Sequence, residues 1–156
     1  NRTNGAVLMP APDIAYEEAL FISATDDNRL FSNVQGAVWN FAARSKGETE
    51  TCIRIFGKGL RISLTDRWLN PIDTYIKECA QFSFELTQND ISDRWTKVGI
   101  KFDTAKKTAD ICFGGKHVKT AEMRFEAPHG LSYIHIQSIA EKCDFDGAYV
   151  KYLKAF

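Results

Sequence analysis

Apolar and polar residues alternate in short runs along most of the chain. Residues 80–86 are the clearest case, with Ala80, Phe82, Phe84 and Leu86 set against Gln81, Ser83 and Glu85. A period of two is that of a strand with one buried face. The same pattern recurs at 50–56, where Ile53 and Ile55 oppose Cys52 and Arg54, and at 60–65, where Leu60, Ile62 and Leu64 oppose Arg61, Ser63 and Thr65. It recurs at 95–103 through Val98, Ile100 and Phe102, and again at 132–137. Shorter runs at 37–43, 109–113 and 147–153 also read as strands, and Met123 with Phe125 predicts one more. Ala19-Leu20-Phe21-Ile22 fits a strand or a helical turn, because four residues do not separate the two periods. Gly57-Lys58-Gly59 predicts a hairpin loop between the runs at 50–56 and 60–65.

Breakers punctuate these runs. Gly5, Pro10 and Pro12 make residues 1–16 an extended lead-in, and turn clusters fall at 25–28, 45–47, 104–107 and 128–130. About nine or ten short strands with turns every roughly 8–12 residues predict an all-β, two-sheet antiparallel sandwich or jelly roll. No amphipathic helix longer than two turns and no internal repeat is apparent. The 156 residues fit one domain, 1–156, able to bury a full core. The chain opens on Asn rather than Met, which reads as a piece excised or processed from a longer chain. Asn1-Arg2-Thr3 is an N-glycosylation acceptor sequence.

Charge removes some partners. Lys plus Arg and Asp plus Glu number 20 each, with no basic block, which argues against nucleic acid. No apolar run reaches the roughly 20 residues of a membrane-spanning helix, so no membrane association is expected. Cys52, Cys79, Cys112 and Cys143 are widely spaced without a Cys-x-x-Cys pair, so they read as free thiols rather than a zinc site.

Candidate chemistry gathers where the strand 60–65 breaks. Thr65-Asp66-Arg67-Trp68-Leu69-Asn70-Pro71 places a carboxylate, a guanidinium and an indole on consecutive positions. Pro71 lacks an N–H and pushes Asn70 out of the helical region, so the strand passes into a loop. Sugar recognition needs an aromatic platform for the pyranose face and planar polar groups for hydroxyls. Asp66, Arg67, Trp68, Asn70 and Tyr75 supply these from one loop. Tyr133, His135 and Gln137 share one side of a strand and form a second polar-aromatic row suited to a sugar. Trp39 and Trp95 lie within apolar alternations and read as core. Asp144 and Asp146 precede Gly147 in an expected turn and are the candidate cation ligands, calcium being the metal considered.

Two sets of segments resemble known families. Trp95-Thr-Lys-Val-Gly-Ile-Lys-Phe-Asp103, a turn, and Ala109-Asp-Ile-Cys-Phe-Gly-Gly115 resemble a hairpin of concanavalin A-like, laminin-G-like jelly rolls. Residues 60–71, 130–138 and 144–150 resemble the β-sandwich attached to bacterial sialidase-like propeller proteins. The resemblance implies an extracellular or periplasmic accessory domain of a glycan-active protein, binding carbohydrate or bracing a neighbouring catalytic domain. Two alternatives stand beside it: a purely structural interdomain module, and a glycoside hydrolase or polysaccharide lyase in its own right. Glucanases of this fold carry paired carboxylates two or four residues apart on one strand face, and no such run occurs here. No Gly-x-Ser-x-Gly elbow or phosphate-binding loop is present either.

Overall fold

The computed structural model describes residues 6–24, 35–91 and 94–156. The turn cluster at 25–28 and the acceptor sequence at 1–3 lie outside them. The described strands form two antiparallel sheets. The larger runs β1 (Val7–Pro10), β2 (Glu18–Ala24), β11 (Asp144–Ala155), β4 (Lys46–Ile55), β7 (Thr96–Asp103), β8 (Thr108–Phe113) and β9 (Lys116–Glu122), in that spatial order. The smaller runs β3 (Gly36–Arg44), β10 (Leu131–Ser138), β5 (Leu60–Thr65) and β6 (Phe82–Leu86). A single helical turn, α1 (Ile76–Cys79), precedes β6.

The core lies between the sheets and is made by the alternating residues. Ile53, Ile55, Ile100, Phe102 and Ile111 of the large sheet meet Leu60, Ile62, Leu64, Phe82, Leu86, Ile134 and Ile136 of the small one, all at 2% exposure or less. Removing one such side chain costs about 2–5 kcal/mol, so the alternation itself specifies which face of each strand turns inward.

The connection at 57–59 is not a hairpin loop. β4 and β5 belong to different sheets, and residues 56–59 form the corner that crosses between them. The physical reason is close backbone approach. A Cβ on Gly57 would sit 2.2 Å from the Asp144 carboxylate, and Gly59, at φ +130°, brings its own Cα against the Leu86 carbonyl. Lys58 N–H donates to Asp144 Oδ2 at 2.7 Å, and Gly147 N–H donates to Oδ1 at 3.2 Å. Asp144 is therefore buried as the cap of an inter-sheet corner, whereas Asp146 is exposed.

Other expectations shift in detail. Residues 19–22 lie in a strand, β2. Met123 and Phe125 lie beyond β9 instead of forming a strand, and β9 itself is almost wholly exposed. Phe41 is core and Trp39 packs against it. Trp95 is only partly buried, and its indole N–H donates to the Pro12 carbonyl at 3.1 Å, so it fastens the lead-in segment. The 95–115 hairpin forms as β7–β8, its turn closed by Asp103 Oδ1 accepting from Ala105 and Lys106 N–H at 3.0 and 3.1 Å. No disulfide links the four cysteines.

Candidate functional site

The strand partners of β10 decide where the second candidate row sits. Tyr133 faces Thr65 and Asn40, His135 faces Ser63 and Val38, and Gln137 faces Arg61 and Gly36. These residues point away from the core, but the sheet is not open to solvent there. The loop after β5 folds back across it. His135 Nε2 lies 3.1 Å from the Leu69 carbonyl, and Gln137 Nε2 donates to the Pro71 and Asp73 carbonyls, both at 2.8 Å. A carbonyl only accepts, so His135 carries its proton on Nε2. Both side chains are fully buried. Burial lowers the His135 pKa below its ordinary value, against a smaller upward pull from the Leu69 carbonyl; its Nδ1 has no hydrogen-bond partner among the described residues. His135 and Gln137 are thus the seat of the loop rather than an open sugar-binding row; Tyr133 is half-buried beside them, its ring 6.5 Å from the imidazole.

Gly36 completes the seat. A Cβ there would stand 2.6 Å from the Pro71 oxygen and 2.8 Å from the Ile136 oxygen, so only glycine lets the loop lie this close. Asn70 shapes the turn over it: its side-chain oxygen accepts from Ile72 N–H at 3.3 Å and its carbonyl from Asp73 N–H at 3.0 Å. Asn70 is a turn former in this structure, the role its neighbour Pro71 favours.

The seated loop presents the remaining candidates outward. Arg67 Nε and Nη2 donate to Asp66 Oδ1 and Oδ2 at 2.9 and 3.3 Å. Partial burial alone would raise the Asp66 pKa; the Arg67 guanidinium and Gln81 outweigh it and hold the carboxyl below its ordinary range. Asp66 N–H donates to Gln81 Oε1 at 3.1 Å, and Gln81 Nε2 donates to the Glu126 carbonyl at 3.3 Å. The pair therefore rests on β6 and on the segment after β9. Arg124 binds that segment to α1, its guanidinium donating to the Lys77 and Ala80 carbonyls.

Between these elements opens a cleft of about 350 Å³. Asp66 and Arg67 stand on one side, and Leu69, Tyr75, Cys79 and Phe125 form an apolar wall. Of its lining, Tyr75 and Phe125 are 49% and 46% exposed; Trp68, 57% exposed, follows Arg67 on the same loop without lining the cleft. Two large aromatic surfaces left in water at one cleft, with a third on the same loop, mark a candidate binding surface. The sequence does not mark Phe125 as a site residue, because Met123 and Phe125 together look like strand alternation. Cys79 shares the cleft, and burial raises its thiol pKa despite the opposing pull of Arg67 and Arg124.

The arrangement offers neither hydrolytic carboxylates nor a metal cage. The Asp66 carboxylate is engaged by Arg67, and the cleft holds no second acid. Both Asp144 oxygens accept backbone N–H groups of the corner, and among the described residues no three His, Cys, Asp or Glu side chains converge. Calcium takes six to eight oxygens, so Asp144 and Asp146 do not fit it as a site. No helix among the described residues is long and apolar enough to cross a membrane.

No family profile and no curated protein matches the chain significantly. Solved structures do. A sialidase matches over 88% of this chain at 13% identity, with a TM-score of 0.61. The matched region spans only 15% of that sialidase. A legume lectin-like domain from Entamoeba histolytica matches over 93% of this chain and 86% of its own, at 11% identity and a TM-score of 0.57. A glycoside hydrolase family 16 endo-glucanase from Bacteroides ovatus covers 97% of this chain and 85% of its own, at 8% identity and a TM-score of 0.57. At such identities the likeness speaks for architecture alone. The protein folds as a concanavalin A-like jelly roll.

Proposed function

We propose that this chain is an accessory, non-catalytic sandwich of a glycan-active protein, and that it binds carbohydrate at the cleft between the loop 66–75, α1 and Phe125. The observation that carries the reading is the cleft itself. It joins a fixed Asp66–Arg67 pair and exposed Tyr75, on a loop seated by buried hydrogen bonds, to exposed Phe125 of the segment after β9, and Trp68 stands exposed on the same loop. Rings supply the stacking face, the ion pair supplies directional donors and acceptors, and the seat makes the constellation rigid before ligand arrives. The fold, shared with a lectin-like domain, a glucanase and a sialidase, supports a role in glycan chemistry. An extracellular or periplasmic setting beside a catalytic domain of the same protein belongs to this reading.

Binding on a glycan array, lost in Trp68→Ala and Tyr75→Ala with the urea midpoint unchanged, is the expected result. Uniformly flat binding by the folded wild type overturns it. One observation favours bracing as a second role. Val7, Leu8 and Met9 lie exposed on the edge strand β1, an apolar edge suited to covering by a neighbouring domain. Concentration-dependent association of the isolated chain, abolished by Leu8→Lys, is the expected sign of that role.

A further inference from the structure

Two acceptors are left over beneath the loop. Every donor hydrogen of the His135 and Gln137 side chains goes to a loop carbonyl, at Leu69, Pro71 and Asp73. His135 Nδ1 and Gln137 Oε1 are buried without a partner among the described residues. A second proton on His135 would add a charge and an N–H to a side chain with no exposure at all. The charged groups nearby are already engaged. On β5, Arg61 is bound to Glu85 of β6, and Ser63, directly across from His135, shares a hydrogen bond with Ser83. β3 presents Val38 and Asn40, and β10 itself Tyr133 and Gln137. In the loop Asp66 holds Arg67, and Asp73 lies beside the Tyr75 hydroxyl. No carboxylate among the described residues stabilises a charge on His135, and burial outweighs the backbone carbonyls that favour the proton.

We propose that this seat is an acid-operated release: a proton on His135 lifts residues 69–73 off the sheet and takes the cleft apart. With the loop raised, the imidazolium reaches water, which removes the cost of burying an unpaired charge. Leu69 leaves the cleft wall, and Trp68 and Tyr75 on either side lose their fixed places. Cys79 and Phe125 stay joined through Arg124. The release stands on the seat alone; its effect on binding rests on the glycan reading. The sign follows from linkage. A ring that is harder to protonate seated than open favours the open loop as pH falls below about 6.5, by at most about tenfold per pH unit.

Exchange of the Gln137 side-chain NH2 protons with water reads the seat directly, because the loop carbonyls hold both of them. Their protection, relative to the intrinsic rate at each pH, is expected to fall several-fold or more from pH 7 to pH 5 in wild type and to stay constant in His135→Gln. If His135→Gln does not fold, the imidazole nitrogen shifts of wild type decide: the ring is expected to titrate in step with the loss of protection, and a ring that titrates while protection holds overturns the release. Protection that stays within about twofold, or rises, in acid overturns it as well, and so does an equal fall in His135→Gln. At pH 5 the tightest-binding oligosaccharide of a glycan array, at about 100 times its Kd, is expected to raise protection about hundredfold. Protection unmoved by that oligosaccharide overturns the coupling of cleft to seat. A folded wild type that binds no glycan overturns the glycan reading, while the Gln137 exchange still decides the release.

Discussion

Replacing Gln137 by Glu changes almost no volume and reverses the chemistry under the loop. Gln137 Nε2 donates to two carbonyls, Pro71 and Asp73, each at 2.8 Å, in a fully buried position. The introduced carboxyl offers an acceptor where two acceptors already point. Loss of the two bonds costs about 1–3 kcal/mol, at roughly 0.5–1.5 kcal/mol each. Burial also disfavours the ionised form of the new carboxyl. If its pKa rises by about two units above the ordinary value of roughly 4.3, the carboxylate, which still predominates at pH 7 and can donate to neither carbonyl, is penalised by about a further 2.7 kcal/mol. The expected loss for Gln137→Glu is thus roughly 4–6 kcal/mol, or a urea midpoint lower by about 2–3 M at a slope of ~2 kcal/mol per M. The sign with pH follows. A carboxyl whose folded pKa is raised is least harmful below the unfolded value, so the gap to wild type narrows toward pH 4 and widens as pH rises. Urea titrations of both proteins from pH 4 to 8 measure this. A Gln137→Glu midpoint within about 0.3 M of wild type at pH 7 would show that Gln137 does not hold the loop.

Further consequences are direct. His135 is buried neutral with a lowered pKa, so its contribution is complete above pH ~6.5 and is lost as pH falls through the folded value. The wild-type urea midpoint should fall between pH 6.5 and 5 more steeply than that of His135→Gln, and parallel curves would contradict this. Asp144→Ala leaves the Lys58 and Gly147 N–H groups without acceptors and is expected to cost about 2–4 kcal/mol in urea unfolding, with Asp144→Asn in between; calcium added to wild type should not move the midpoint.

The fold was legible because each strand carries its own alternation. Residues 80–86 and 95–103 need no partner to show which side is buried, and both form strands with the expected inward faces. The strands β1 and β9 were not legible, because both are wholly or almost wholly exposed and so lack an apolar period. The corner at 57–59 looked like a hairpin because glycine serves both. What separates the two is Asp144, 86 residues away. The site was half legible for the same reason. Asp66, Arg67, Trp68 and Tyr75 fall in one continuous stretch, and their chemistry shows in the sequence. The covering of His135 and Gln137 depends on a loop whose seat is Gly36, and strand parity gives the side of a sheet but not what lies upon it. Phe125 reaches the cleft only through the pairing that places the chain after β9 beside β6, where Arg124 N–H donates to the Gln81 carbonyl at 3.0 Å.

The central claim is that glycan binds at the loop cleft and not on a sheet face. Amide chemical-shift mapping during titration with the strongest array ligand tests it most directly. The account predicts shifts concentrated at 65–79 and 124–126, with the exposed side of the large sheet around Arg54, Lys97 and Tyr149 unmoved. Shifts centred on that sheet, with 65–79 silent, would contradict it.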